Sequence, residues 1–318
     1  MTPTKLLISK NLSPQAHRTP MLKPSLTAGL TGLRRRPGLV VLLYAMNLIL
    51  ALALAISVGV TLGSTVRPTG FGEDLAQGFD IVLWADIIDE AGEALRASFL
   101  HLLWMVPLYL IWKAAAAVGL IHALRGDQTR SFWQGVGRYT GKGLLLGIGF
   151  LVLTGIGVVV VLGIALALGA VWSGKVGGFW VNAVIAPTLI ISVLAVFDLM
   201  HDYARAALVV GDEKVLTALG TGVVWPFRHG QASRLYLIWF APAALLLLLP
   251  MVLDANVTAA TSGTLWGLFV AQQVFMLLRA AVTVGWFGSE TAFYETIWLR
   301  EQPLIAEEET FSETAPGL

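Results

Sequence analysis

Six long stretches of the chain are almost free of polar residues, and shorter polar segments separate them. They cover roughly 39–62, 99–121, 144–170, 179–200, 235–253 and 264–288. Each has about the 20 apolar residues that a helix needs to cross some 30 Å of hydrocarbon. None alternates apolar with polar positions, as a transmembrane strand does. The expected fold is all-α: a polytopic membrane bundle of six transmembrane helices, arranged as three hairpins. Pro107, Pro187, Pro242 and Pro250 lie in or at the ends of these spans. Neighbouring helices can satisfy the backbone groups that a proline frees, so these positions predict kinks and not breaks.

A different pattern precedes every second span. Short amphipathic stretches with glycine and basic residues run over 25–34, 131–139 and 215–228. Apolar residues on one face with Arg or Lys at the end suit a helix lying in the headgroup layer. The pattern predicts a repeated unit of elbow helix, outward span and inward span. The segment 63–98 also has helical periodicity, with Phe79, Val82, Leu83, Ile87, Ile88, Ala91 and Leu95 among acidic residues, and predicts an acidic amphipathic helix. Gly143 and Gly147, at small-xxx-small spacing, predict close helix approach in the third span. Residues 1–24 read as a disordered basic tail, 25–300 as the membrane domain and 301–318 as an acidic disordered tail.

Composition agrees with the pattern. The chain has 318 residues, 56% hydrophobic and 13% charged. A soluble domain has nearly twice that charge, which excludes a soluble enzyme with a polar shell. The net charge of +1 attracts no nucleic acid. The distribution of charge is more informative than its sum. Outside the spans, the segments on the side of both termini collect sixteen Lys and Arg residues, against three on the other side. The positive-inside rule then puts both termini and the elbows in the cytoplasm.

Charged residues within or beside spans cost a few kcal/mol each, so they are expected to face protein or water. Lys113, Asp198 and Arg279 fall inside spans. Asp198 and Asp202 are four apart on one helix, and Asp202 and Arg205 are three apart, so they share a face. The expectation is an intramembrane polar cluster of Lys113, Asp198, Asp202, Arg205, Arg279 and Glu290, with Lys113 and Arg279 paired to Asp198, Asp202 or Glu290. Asn47, Asn182, Gln272 and Gln273 are expected to bond across helices.

No catalytic residue is assigned. The histidines show no HExxH spacing, and there is neither a GxSxG elbow nor a Walker loop. With no cysteine, thiolate chemistry and Cys-ligated metal are excluded. No cofactor and no metal is expected. The partners expected are the lipid bilayer and, through the elbows, another membrane protein or a second copy of the chain.

The run Asp202-Tyr203-Ala204-Arg205, followed by an apolar tetrad, an acidic–basic turn and an elbow, resembles a group of bacterial six-span membrane proteins. These are similar to the membrane region attached to some glycerophosphodiester phosphodiesterases. The likeness extends to Gly137-Arg138-Tyr139 and to Ser289-Glu290-Thr291-Ala292-Phe293-Tyr294. The resemblance implies a six-helix architecture and a bacterial inner-membrane setting. It implies no catalytic residue, since the chain has no phosphodiesterase domain. The function expected is that of a non-enzymatic interaction or membrane-organising module. The alternative is a carrier of a small solute or lipid that uses the polar cluster.

Overall fold

The computed structural model describes residues 21–69, 102–125, 130–172, 181–257 and 262–313, with isolated positions between 82 and 100. Within them the chain is all-α, with eight helices: α1 (Leu22–Arg35), α2 (Pro37–Thr69), α3 (Met105–Leu124), α4 (Phe132–Val171), α5 (Ala186–Val210), α6 (Val215–Arg228), α7 (Gly230–Asn256) and α8 (Ser262–Glu313). A π-helical turn, Val181–Ile185, leads into α5. Six helices are long and apolar enough to cross a membrane, over Pro37–Ser57, Met105–Leu124, Phe132–Val171, Ala183–Val210, Gly230–Leu253 and Gly263–Glu301. The acidic helix expected within 63–98 lies almost wholly outside the described residues; the first positions of that segment, through Thr69, continue α2.

Two of the three elbows are helices of their own. α1 ends where Arg36 leaves helical geometry and Pro37, which lacks an N–H, opens α2. α6 ends at His229, whose backbone leaves helical geometry and turns the chain into α7. The second expected elbow, 131–139, is not separate. It is the first part of α4, which runs unbroken for 40 residues, about 60 Å. A capping box starts this helix: the Gln134 N–H donates to Ser131 Oγ at 3.1 Å, and the Ser131 N–H donates to Gln134 Oε1 at 3.3 Å. No proline or cap lies between Tyr139 and the third span, so the helix has no reason to stop. α8 is longer still and continues to Glu313, so the segment read as an unstructured acidic tail begins helical.

The core lies at the elbow end of the bundle. The second half of α5, Leu199–Val210, is enclosed by α4, α6 and α8, with Tyr203, Leu208, Val209, Phe293 and Tyr294 buried. Trp225 of α6 stacks into it, its ring 4.8 Å from Tyr203 and 4.9 Å from Tyr294. At the other end the large apolar side chains, Val159, Leu166 and Val171 of α4 among them, point outward, as lipid-facing residues do.

Small residues set the closest helix crossings. A Cβ on Gly29 of α1 would collide with Ser289 and the Gly285 carbonyl of α8, and one on Gly222 of α6 would collide with Ala204 and the Met200 carbonyl of α5. Gly143 of α4 meets Val118 of α3 as the small-xxx-small spacing suggests, whereas Gly147 turns toward His201 of α5. The two glycines thus serve different neighbours.

Candidate functional site

The enclosed half of α5 carries the centre of the polar cluster. Asp202 and Arg205 are both buried, and the Arg205 Nη1–H donates to Asp202 Oδ1 at 2.7 Å. The i,i+3 spacing puts the two side chains on one helix face. One turn earlier, Asp198 Oδ2 accepts a hydrogen bond from the Tyr236 hydroxyl of α7 at 3.1 Å. Glu290 of α8 is buried near this group, and neither carboxyl oxygen has a hydrogen-bond partner among the described residues. The Trp286 indole faces it from one turn earlier on α8 without hydrogen-bond geometry. Tyr203 Oη, Thr291 Oγ1 and His201 Nε2 are likewise buried without partners among the described residues.

Two cavities flank this centre. The first, of about 460 Å³, lies among α3, α4, α5 and α7; Lys113, Asp198, His201 and Arg205 give its wall polar atoms, and Leu144, Ile191 and Phe240 are among its apolar residues. The His201 ring stacks on Phe150 of α4, with centroids 4.7 Å apart. The second, of about 310 Å³, lies among α2, α3, α5 and α8 and is lined by Asn47, Lys113, Arg205 and Arg279 with apolar neighbours. Both volumes fall in the range of small-molecule pockets. Lys113 and Arg205 line both cavities and form the partition between them.

The structure therefore brings the six expected residues into one neighbourhood but pairs them differently. Asp202 is matched by Arg205 of its own helix, not by Lys113 or Arg279. Lys113 and Arg279 make no ion pair among the described residues and are exposed to the cavities they line. The pairing expected for them is corrected on this point: of the carboxylates expected as partners, Asp202 is engaged by Arg205, Asp198 by Tyr236, and Glu290 is enclosed in the helix packing. Of the polar residues expected to bond across helices, Gln273 does so, its Oε1 accepting from the Tyr44 hydroxyl of α2 at 2.8 Å. Asn47 faces the second cavity, and the side chain of Asn182 lies outside the described residues. Tyr236, Trp286 and His201 belong to the site although the sequence offered no motif for them. No group of three His, Asp or Glu residues that could hold a metal occurs among the described residues.

A second polar layer lies at the elbows. Arg138 and Lys142 of α4 both pair with Asp212, which sits at positive φ in the turn between α5 and α6. Arg125 donates to the Val209 carbonyl at 3.1 Å and reaches Glu295 at 3.4 Å. His229 lies over Trp225 and 3.5 Å from Glu301; partial burial holds its imidazole below the usual histidine range, against the opposing pull of Glu301. Burial likewise pushes the Glu213 carboxyl up, partly offset by the hydrogen bond that Thr221 donates to it at 3.0 Å.

Comparison with protein-family models, curated proteins and solved structures gives no match. The resemblance to the membrane region attached to some phosphodiesterases thus rests on the short runs around Arg138, Asp202 and Glu290 alone.

Proposed function

We propose that this polytopic membrane protein is a non-enzymatic carrier or binder of a small solute or lipid, and that the paired cavities are its binding site. The observation that supports this reading is the exposure of Lys113, Asp198 and Arg279 to cavities of ligand size. A purely structural ion cluster would be dry and fully paired, whereas intramembrane charges facing a cavity are the usual mark of a substrate path. In this proposal the elbow side faces the cytoplasm of a bacterium, in keeping with the distribution of basic residues and with the resemblance. The chain has no cysteine, so single cysteines report cleanly on access. A cysteine replacing Thr154, which lines the first cavity, is expected to react with a water-soluble maleimide in the folded protein. Protection of that cysteine as complete as at a packed position such as Ala207 would overturn the reading.

An interaction module is the second reading. The elbow helices expose large apolar side chains, with Leu30 of α1 and Leu216 and Phe227 of α6 standing out from the bundle. Such residues dip into the headgroup layer or meet a partner. Crosslinking from position 216 to lipid, to another protein or to a second copy distinguishes these occupants.

A further inference from the structure

The two cavities differ in charge. Asp198 offsets Lys113 and Arg205 in the first. In the second, Lys113, Arg205 and Arg279 all face one space, and no carboxylate is among the described residues that line it. Lys113 and Arg279 have no ion-pair partner among the described residues. Arg205 gives one N–H to Asp202, and a guanidinium has five. Three cations around one cavity at membrane depth repel each other, and only Arg205 has a carboxylate paired with it among the described residues. A bound anion removes that repulsion, and the planar arginine fork matches phosphate oxygens in particular.

We infer that the second cavity binds a phosphate-bearing anion, held by Lys113, Arg205 and Arg279, with the Asn47 amide as a neutral donor beside them. This rests on the carrier reading above and names the chemistry of its ligand. The anion comes from a lipid headgroup or from free phosphate. The surroundings suit a headgroup: Leu43 and Phe287 give the cavity apolar walls, and α2 packs mainly against α8 while touching α3 little. In this proposal an acyl chain leaves the cavity between α2 and α3.

The test uses the full chain in detergent micelles, with melting temperature read against three probes: short-chain phosphatidylglycerol, short-chain phosphatidylcholine and inorganic phosphate. Saturable stabilisation by phosphatidylglycerol or by phosphate is expected, and Lys113→Gln and Arg279→Gln should each weaken it about ten-fold, the loss of one charge-assisted hydrogen bond. Arg138→Gln, at the elbow surface, should leave it unchanged. Stabilisation by phosphatidylglycerol alone assigns a lipid source, and stabilisation by phosphate assigns the free anion. If neither anion stabilises the wild-type protein saturably, the inference is overturned whatever the variants do. Equal binding of phosphatidylglycerol and phosphatidylcholine, insensitive to both Gln variants, also overturns it while leaving the cavity as a binding site. The cysteine at position 154 reports on that broader reading independently. Should a Gln variant fail to fold, Arg279→Lys keeps the charge and is expected to retain binding, and loss of binding there with an intact fold counts against a charge-based site.

Discussion

At the scale of single residues, Asp202 and Arg205 are the most exacting pair in the molecule. Both are buried, and each is the other's only charged hydrogen-bond partner among the described residues. Asp202→Ala leaves a buried guanidinium uncompensated, at an expected cost of about 3–5 kcal/mol, visible as a lower melting temperature and yield. Replacing both, Asp202→Leu with Arg205→Met, is expected to recover most of that loss, because an apolar pair of similar volume needs no compensation. Glu290 should behave in the opposite way. Its carboxyl is buried without a hydrogen bond, so Glu290→Met, which keeps the volume, is expected to hold or raise the melting temperature. A fall as large as that of Asp202→Ala would show that Glu290 has a partner the structure does not display. The charged positions of this cluster were legible in the sequence, because a charge inside an apolar run is rare and conspicuous. Its pairing was not. Asp202 and Arg205 are adjacent on one helix whatever the tertiary fold, but the competition of Tyr236 for Asp198 depends on how α7 packs against α5, and linear spacing carries no information about that.

At the scale of elements, glycine decides how closely the elbows fit. Gly222 leaves no room for a side chain against Met200 and Ala204. Gly222→Leu is expected to displace α6 and lower stability by about 1–3 kcal/mol, the cost typical of overpacking, whereas Gly220→Leu, with open space beside it, should not. The elbows at 25–34 and 215–228 were legible because glycine, proline and terminal Arg mark them. The one expected at 131–139 is instead the start of α4. Ser131 and Gln134 announce a helix start, and nothing announces an end before the third span. The α6–α7 junction also gives the fold a pH response. His229 is partly buried, which holds its pKa down; Glu301 of α8 opposes this and the nearby Arg228 adds to it. A histidine with a depressed folded pKa favours the folded state fully above its ordinary value of about 6.5, and that contribution is lost as pH falls through the lower folded pKa. The melting temperature should therefore drop on going from pH 7 to pH 5, and His229→Gln should drop less. Equal slopes for both proteins would remove His229 from the account.

At the scale of the whole molecule, packing and charge are polarised in the same direction. The elbow half holds the enclosed segment of α5, both polar layers and the cavities, while the opposite half exposes apolar side chains along α2, α4 and α7. By sequence alone, the segments before the odd-numbered spans and after the sixth hold sixteen Lys and Arg residues against three in the others, and the proposal that the dense half faces the cytoplasm rests on that count, because translocating Lys and Arg is disfavoured. In that proposal, the packed half and the basic half coincide for separate physical causes. Basic side chains set orientation during insertion, whereas tight packing follows from the small residues of α1, α5 and α6. The two can therefore be tested apart. A cysteine at Thr27 of α1 should resist a membrane-impermeant maleimide in intact spheroplasts and react once the membrane is broken, while one at Trp172, past the far end of α4, should react in both. Reaction at Thr27 in intact cells would invert the molecule and place the cavities on the outer side. The packing would be unchanged, but a ligand would then approach from the opposite face.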